Sequence, residues 1–323
     1  MKKTIIGMLG LLLLFSACHK EESIYEKKNT DELVSPALTM RMFENFELKS
    51  FSGIVEVYPC QAGTSVYYGN YVNGALSVFN GQYTVVNGLV SGKYNRELML
   101  PVGEYNMVYW GTPKYDTPIF EAPAINHPGL TRDMDLSKKF FSLHKNMGDT
   151  TYMPTYDLVY GVKEAVVGTE DLQVALDRVV AGVSLIVKKK DGTPFSGSVA
   201  SVKAQIVGIA ERLNFYTAEP ENTTKTVQFD LTASEDRRTM SNPTVMVFPS
   251  SPHPLLKLLV TLKDGSVYQV SQPLQSPLTA NTHLTLNIVI EKIFADEDSG
   301  NFTINDWNET SETVDFSVIG RKV

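Results

Sequence analysis

The sequence predicts an all-β protein built from two tandem β-sandwich domains, and three observations support this. The chain of 323 residues is long enough for two ordinary domains and combines 22 Gly and 16 Pro with 15 Tyr and 15 Phe, which favours short strands joined by tight turns. Apolar and polar residues alternate along many short segments, the period of a half-buried strand. Asn-Gly and Asp-Gly pairs separate these segments, and such pairs adopt the positive φ angles of hairpin turns.

The charge and cysteine content exclude two further classes of protein. With 29 Lys and Arg against 36 Asp and Glu, the net charge is -7, which lacks the basic excess that nucleic-acid binding requires. The two cysteines, Cys18 and Cys60, are too few for a disulfide framework. Cys60 is therefore interpreted as a small packing residue.

Residues 1–17 are predicted to be a signal peptide. Lys2 and Lys3 precede an apolar run at 5–15, about half the roughly twenty residues that a membrane span needs. The run ends in Phe15-Ser16-Ala17-Cys18, which resembles the lipobox of bacterial lipoproteins, with Phe where Leu is usual. The resemblance implies cleavage before Cys18 and acylation of Cys18, which would become a lipid anchor. The alternative is a plain secretory signal in which Cys18 is incidental.

Residues 18–35 are predicted to be a flexible tether between the lipid and the fold. Lys20, Glu21 and Glu22 follow the lipidated cysteine closely and resemble the short acidic export tag of surface lipoproteins in the Bacteroidota. About half of the residues from 19 to 35 are charged, so the triplet can also be read as part of a solvated tether. Both interpretations place a flexible tether before the first domain.

The first domain is predicted to span residues 36–168. Hairpin turns are expected at Asn73-Gly74, Asn80-Gly81 and Asn87-Gly88,. A strand should stop at Pro101 and resume after Gly103, because alternating residues follow to position 110,. The best helical candidate is 136–147, where the apolar spacing fits one helix face,. Another strand is expected at 156–161.

The second domain is predicted to span residues 169–323. The alternation of Leu172, Val174 and Leu176 is interpreted as its first strand, and another apolar run ends at the Asp191-Gly192 turn. Asp264-Gly265 predicts a later hairpin. The remaining predicted strands are 200–209, 225–231, 244–248, 255–262, 267–271 and 284–290.

Several segments together resemble the FimB-type fimbrial anchor lipoproteins, minor subunits of Bacteroidales pili. The matching segments are the lipobox at Cys18, the LPVGEY and YWG blocks within 100–111, DLVYG at 157–161, LDRVVAGV at 176–183 and FTINDW at 302–307. The resemblance implies two transthyretin-like β-sandwiches and a non-enzymatic role in fimbrial assembly and cell adhesion. It implies a surface-exposed outer-membrane location, fimbrial stalk or tip subunits as partners, and contact with host or bacterial surfaces through the assembled fimbria. In this family the pilus grows when a strand from one subunit completes a neighbour's sheet.

The segment 311–323 is suited to such strand exchange. Val314, Phe316 and Val318 fall on one face of an extended strand, with polar residues between them,. An added strand pairs with the amides and carbonyls of a sheet edge while alternate side chains fill pockets. The alternative is an ordinary strand of the second domain.

The sequence predicts no enzyme, cofactor or metal site. It contains none of the common nucleophile, zinc or nucleotide motifs,. Its histidines at 127, 144, 253 and 283 lie far apart, without ligand spacing,. The acidic run at 296–300 lacks a calcium ligand at the fifth and twelfth positions,.

The competing functional class is a glycan-binding surface lipoprotein, because exposed aromatic side chains can form a sugar platform. Trp110 and Trp307 are interpreted as packing residues,. Tyr67, Tyr68 and Tyr71 are the better platform candidates, although they also suit a sheet face.

Overall fold

A computed structural model describes residues 32–44, 47–78, 81–91, 97–114, 124–290, 300–306, 312–316 and 321–322. The first fourteen strands are β1 (Leu33–Val34), β2 (Leu38–Glu44), β3 (Glu47–Ser50), β4 (Gly53–Gln61), β5 (Asn70–Val72), β6 (Ala75–Ser77), β7 (Gly81–Val86), β8 (Leu89–Val90), β9 (Leu100–Pro101), β10 (Gly103–Pro113), β11 (Ile125–Asn126), β12 (Phe140–Leu143), β13 (Val159–Val167) and β14 (Leu172–Arg178). The others are β15 (Ala181–Lys189), β16 (Val199–Ile209), β17 (Arg212–Asn214), β18 (Pro220–Glu221), β19 (Lys225–Ala233), β20 (Thr239–Ser241), β21 (Val245–Val247), β22 (Ser250–Leu262), β23 (Val267–Pro273), β24 (His283–Ile290), β25 (Gly300–Asp306), β26 (Glu312–Phe316) and β27 (Arg321–Lys322). The predicted all-β class is confirmed.

The first large sheet has the strand order β14-β13-β10-β4-β7-β8-β2-β3. β14 also pairs with β2 in parallel, so these strands form a closed hydrogen-bonding circuit from which only β3 projects. The central ladder is long, because β10 pairs with β13 over 103–111 and with β4 over 105–113. This circuit encloses a core of apolar side chains that includes Met40, Val57 and Met107.

The second large sheet has the order β26-β25-β24-β15-β20-β19-β16-β22-β23-β27, with β21 attached to β15. Most of its ladders are antiparallel, and β15 pairs with β24 in parallel. Smaller sheets are β1-β9, β5-β6 and β11-β12-β17-β18. The β11-β12-β17-β18 sheet joins the two halves of the chain, because β12 pairs with β17. In the sequence, β12 precedes β13 of the first large sheet, whereas β17 follows β16 of the second.

A second apolar cluster packs on the second sheet and extends onto the outer face of the first sheet. It includes Leu185, Ile206 and Leu286 from the second sheet, together with Val108 and Trp110 from β10. Alternate residues of β10 thus pack on different cores, since Met107 belongs to the first cluster. The period-two alternation of a strand places its successive side chains on opposite faces.

Local turn chemistry is predicted well where it depends on positive φ. Asn73 and Gly74 have φ of 52° and 76°, and Asn87 and Gly88 have φ of 51° and 83°. Both pairs form two-residue hairpin connections, between β5 and β6 and between β7 and β8. Of the third predicted turn, Asn80 lies outside the described residues and Gly81 begins β7.

The predicted helix at 136–147 is wrong. The structure has a 3-10 helix at Leu136–Lys138, capped by the Asp135 carboxylate, which accepts a bond from the Ser137 amide. β12 follows, and its Phe141 and Leu143 are buried with the half-buried Ser142 between them. Pairing with β11 and β17 favours the strand over the helix that the apolar spacing also allowed.

The strand of Leu172, Val174 and Leu176 does not begin the second sheet, as the sequence suggested. As β14 it pairs with β2 and β13 of the first sheet, and the chain passes into the second sheet between Arg178 and Ala181. The division of the chain near residue 168 into two domains remains a prediction. The fold also begins before residue 36, because β1 pairs with β9. In the described part of the chain, none of the helical structure is long and apolar enough to span a membrane.

Candidate functional site

The segment predicted for strand exchange pairs with both ends of the second sheet. β26 pairs with β25, where Val314 lies opposite Phe302 and Phe316 lies opposite Gly300. β27 pairs with β23 at Tyr268 and Gln269. Residues 312–316 therefore meet one edge of the sheet at β25, and residues 321–322 meet the other at β23. Val318 lies outside the described residues.

The predicted membrane-proximal residues Cys18, Lys20, Glu21 and Glu22 lie outside the described residues, as does the signal peptide. The described chain begins at Glu32, whose carbonyl oxygen accepts a bond of 3.2 Å from the Val102 amide. This contact and the β1-β9 ladder place the first described residues, 32–34, beside the start of β10.

Trp110 is a packing residue, as the sequence suggested. Its side chain is 2% exposed, and its indole Nε1 donates a hydrogen bond of 2.9 Å to the carbonyl oxygen of Phe215. The rings of Phe141 and Tyr160 lie 4.7 and 4.8 Å from it, between centroids. The cluster joins β10 to β12 and to a loop after β17, so it packs the first large sheet against the β11-β12-β17-β18 sheet. Trp307 lies outside the described residues.

The tyrosines proposed as a sugar platform do not share an open face. Tyr67 is fully buried, and its hydroxyl donates a 2.9 Å bond to the carbonyl oxygen of Val78. Tyr68 is half-buried with its ring 5.5 Å from that of Tyr105, and burial raises the pKa of Tyr68 to about 12. Tyr71 is half-buried. The platform interpretation is therefore wrong for Tyr67.

A cleft of about 300 Å³ opens instead beside the Trp110 cluster. Its walls are mainly apolar and include Ile54, Phe141 and Tyr156, and the polar groups of Glu56 and Gln82 also line it. The Glu56 carboxylate already accepts a 2.6 Å bond from the Tyr58 hydroxyl. Apolar walls with a few oriented polar groups are typical of small-ligand sites.

A buried ion pair lies where the chain passes between the sheets. Arg178, at the end of β14, is 1% exposed, and Asp157 is fully buried. The Arg178 guanidinium also donates a hydrogen bond of 3.4 Å to the side-chain oxygen of Asn281, a residue that precedes β24. Both charged residues lie in segments that carried the family resemblance, but their contact was not predicted. Twenty-one residues separate them, and nothing in the local pattern indicates the pairing.

The described residues contain no group of His, Cys, Asp and Glu side chains that could hold a metal ion. The Cys60 thiol is fully buried, and burial raises its pKa to about 12, so it packs as predicted and is a poor nucleophile,. His283 Nε2 lies 3.1 Å from Ser184 Oγ, which lies 2.9 Å from Thr244 Oγ1. These three side chains bond to one another on the second sheet.

Solved structures and one protein family are similar to this chain. A crystal structure from Bacteroides thetaiotaomicron, described as a candidate polysaccharide-binding protein, matches with 14% identity, 88% of this chain and 98% of that one, and a TM-score of 0.50. The fimbrial anchor protein Mfa2 from Porphyromonas gingivalis matches with 11% identity, 79% of this chain and 91% of that one, and a TM-score of 0.43. A search of curated proteins finds no match.

The model of one protein family covers residues 47–313 and is described as fimbrillin-A associated anchor proteins Mfa1 and Mfa2. The match includes most strands of both large sheets and the buried ion pair. The predicted resemblance to fimbrial anchors is thereby confirmed at the level of the family. Because the match covers well over half of the sequence, the chain belongs to the family of fimbrillin-A associated anchor proteins.

Proposed function

We propose that this chain anchors or assembles a fimbria on the outer surface of the cell, without enzymatic chemistry, and so supports adhesion. Membership of a fimbrial anchor family supports the fimbrial role. The lipobox-like residues before Cys18 support attachment through a lipid on Cys18, and Lys20, Glu21 and Glu22 support export by a short tag. Acyl chains hold a protein on a membrane by burying methylene groups, each contributing about 0.8 kcal/mol.

The pairing of residues 312–316 and 321–322 at the two edges of the second sheet is the observation that carries the assembly mechanism. Among the described residues, β26 pairs with β25 and β27 pairs with β23, so exchange of both strands would break two ladders. A strand from another subunit could then satisfy the amides and carbonyls of β25. In the reverse direction, Val314, Phe316 and Val318 would complete a neighbouring subunit's sheet.

Gentle detergent extraction tests this function directly. The full chain is expected to co-purify with fimbrial subunits in a fixed ratio, and a variant lacking 312–323 is expected to be extracted alone. A full chain that is also extracted alone from fimbriated cells would contradict the proposal. The control is the same extraction from cells that lack the gene for the chain.

Glycan binding is the second candidate function, and the cleft beside Trp110 is the observation in its favour. Aromatic walls and the polar groups of Glu56 and Gln82 could stack against and orient a sugar,. A glycan panel should then show binding that Tyr156→Ala removes and that Tyr268→Ala, on β23, leaves unchanged. Absence of binding to the panel would leave this candidate without support.

A further inference from the structure

The loop between β12 and β13 presents one methionine to solvent. Met147 is 95% exposed, more than any other large apolar side chain among the described residues. Gly148 follows it with a φ of 84°, and the polar residues Lys145, Asn146 and Asp149 flank the pair. The Met147 side chain, with its thioether sulfur, is therefore open to solvent at the tip of this loop.

The other methionines of residues 18–323 are protected. Of the 11 Met in the sequence, Met1 and Met8 belong to the predicted signal peptide, and the other nine lie in the described part of the chain. The buried ones are Met40, Met42, Met107, Met240 and Met246. The half-buried ones are Met99, Met134 and Met153. A dissolved oxidant therefore reaches the sulfur of Met147 more readily than that of any other methionine.

The tip of the loop is held by bonds in which the Met147 side chain takes no part. One carboxylate oxygen of Asp149 accepts bonds of 2.6 Å from both the amide and the hydroxyl of Thr151. The Asn146 amide donates to the Thr151 carbonyl oxygen at 2.9 Å, and the Asn146 side-chain nitrogen donates to the Thr151 hydroxyl at 2.7 Å. A chemical change at the Met147 side chain therefore leaves these bonds in place.

The base of the loop is attached to the second large sheet. The Tyr152 amide donates to the Thr226 carbonyl oxygen at 2.8 Å, and the Tyr152 carbonyl oxygen accepts a bond of 2.9 Å from the Gln228 amide. Thr226 and Gln228 both belong to β19. The loop thus projects Met147 from a fixed base.

Oxidation has opposite consequences at exposed and at buried methionines. A sulfoxide is polar, so it disrupts an apolar core, where its oxygen finds no partner. Met40 and Met107 are fully buried in the core of the first sheet, and a sulfoxide there would be destabilising. At Met147 the added oxygen is solvated, so the folded state tolerates it.

We propose that Met147 is a modification site at which a peroxide changes the loop tip from apolar to polar without disturbing the fold. The sulfur lone pair attacks one peroxide oxygen and the O–O bond breaks. The second oxygen takes the remaining proton of the first and leaves as water, so the sulfur loses two electrons and the peroxide gains them. Because the site is exposed, methionine sulfoxide reductases can reverse the change. This inference does not depend on the anchoring role.

Limited oxidation of the folded protein is the first test. The full chain, in a peroxide-free detergent, is treated with hydrogen peroxide, digested and measured by mass spectrometry. A gain of about 16 Da is expected at Met147 at least tenfold faster than at Met99, Met134 or Met153, with an unchanged melting temperature. Equal rates at these methionines, or a lower melting temperature of the chain oxidised at Met147, would overturn the proposal.

Two leucine variants locate the fast reaction. Met147→Leu keeps an apolar side chain of similar volume and removes the sulfur, so the fast gain of oxygen should disappear. Met153→Leu, at a half-buried position of the same loop, is the matched control and should keep the wild-type rate. Fast oxidation that persists in Met147→Leu would overturn the assignment.

Elution from a phenyl column measures the change of polarity and its reversal. The protein is a chain beginning at residue 19, which keeps every described residue and lacks the lipid. After peroxide treatment the wild type should elute earlier, whereas Met147→Leu should elute as before. Two methionine sulfoxide reductases, one for each sulfoxide epimer, should restore the original elution. Unchanged elution of the oxidised wild type, or an equal change in Met147→Leu, would overturn the change of polarity at the tip. Failure of the reductases would overturn its reversal.

Discussion

Arg178 Nε donates to both carboxylate oxygens of Asp157, at 2.9 and 3.1 Å, with both side chains buried. The amide of the following residue, Val179, donates to the carbonyl oxygen of Leu158 at 3.0 Å. Side-chain and backbone bonds therefore fix the same crossing of the chain. Because a charge left alone in a protein interior is costly, the two residues depend on each other.

Arg178→Met is expected to lower the free energy of unfolding by about 3–5 kcal/mol, because it leaves the Asp157 carboxylate buried without its partner. The double variant Arg178→Met with Asp157→Leu should recover much of this loss, since no charge is then buried. Urea denaturation of the three proteins measures both quantities. A single variant no less stable than the double variant would show that the charges are not coupled.

Because His283 is partly buried, the stability of the folded chain is expected to depend on pH. Burial, and then the positive charge of Arg178, lower the pKa of His283 from its ordinary value. The unfolded chain therefore binds a proton near pH 6.5 that the folded chain binds only at lower pH. The free energy of unfolding should fall between about pH 7.5 and 5.5, and His283→Gln should flatten this slope.

The control for this pH dependence is His253→Gln, which alters an exposed histidine on β22. It should keep the wild-type slope. Denaturation curves at several pH values between these limits provide the measurement. If the His283→Gln slope equals that of the wild type, the group that titrates lies elsewhere.

The sequence predicted those features that neighbouring residues determine. The turns at Asn73-Gly74 and Asn87-Gly88 follow from the need for positive φ, a local property,. The strand alternation of β10 was likewise visible, although which face meets which core was not. The family resemblance depended on several segments in combination, because each segment alone would fit an ordinary β-strand.

Features that depend on distant pairing were missed or misread. Phe140 to Leu143 fits either a helix face or a strand, and only pairing with β11 and β17 decides between them. From the sequence alone, β14 looks like the first strand of the second domain. Its partner β2 lies more than a hundred residues earlier, so no local pattern reveals that β14 belongs to the first sheet. Ser184 and His283 are 99 residues apart, so no local pattern could place them together.

Cys18→Ala is expected to detach the chain from the membrane, because the lipid is its predicted anchor. The variant should appear in the soluble fraction or remain uncleaved. Membrane fractionation followed by mass measurement of the chain distinguishes these outcomes. A variant of mature length that stays in the detergent phase would rule out the lipoprotein interpretation.

Replacement of Lys20, Glu21 and Glu22 with Ala is expected to trap the chain on the periplasmic side, since a sorting factor would read the residues next to the lipid. Protease treatment of intact cells should then digest the wild type and spare the variant. Alanine at three charged positions farther along the tether, Glu26, Lys27 and Lys28, is the matched control and should remain digestible. Equal digestion of all three proteins would show that the triplet is only part of the tether.

Phe316→Asp is expected to abolish association with fimbrial subunits while leaving lipidation and the melting temperature nearly unchanged. Three apolar side chains, Val314, Phe316 and Val318, would each contribute about 1.5–3 kcal/mol if buried in a partner's sheet, before ordering costs. A charge at the central position removes that gain, whereas Thr313→Asp, on the opposite face by alternation, should not. Co-purification and thermal melts measure the two effects. If Phe316→Asp instead lowers stability by several kcal/mol, β26 is an internal strand of the second sheet, and assembly uses another edge.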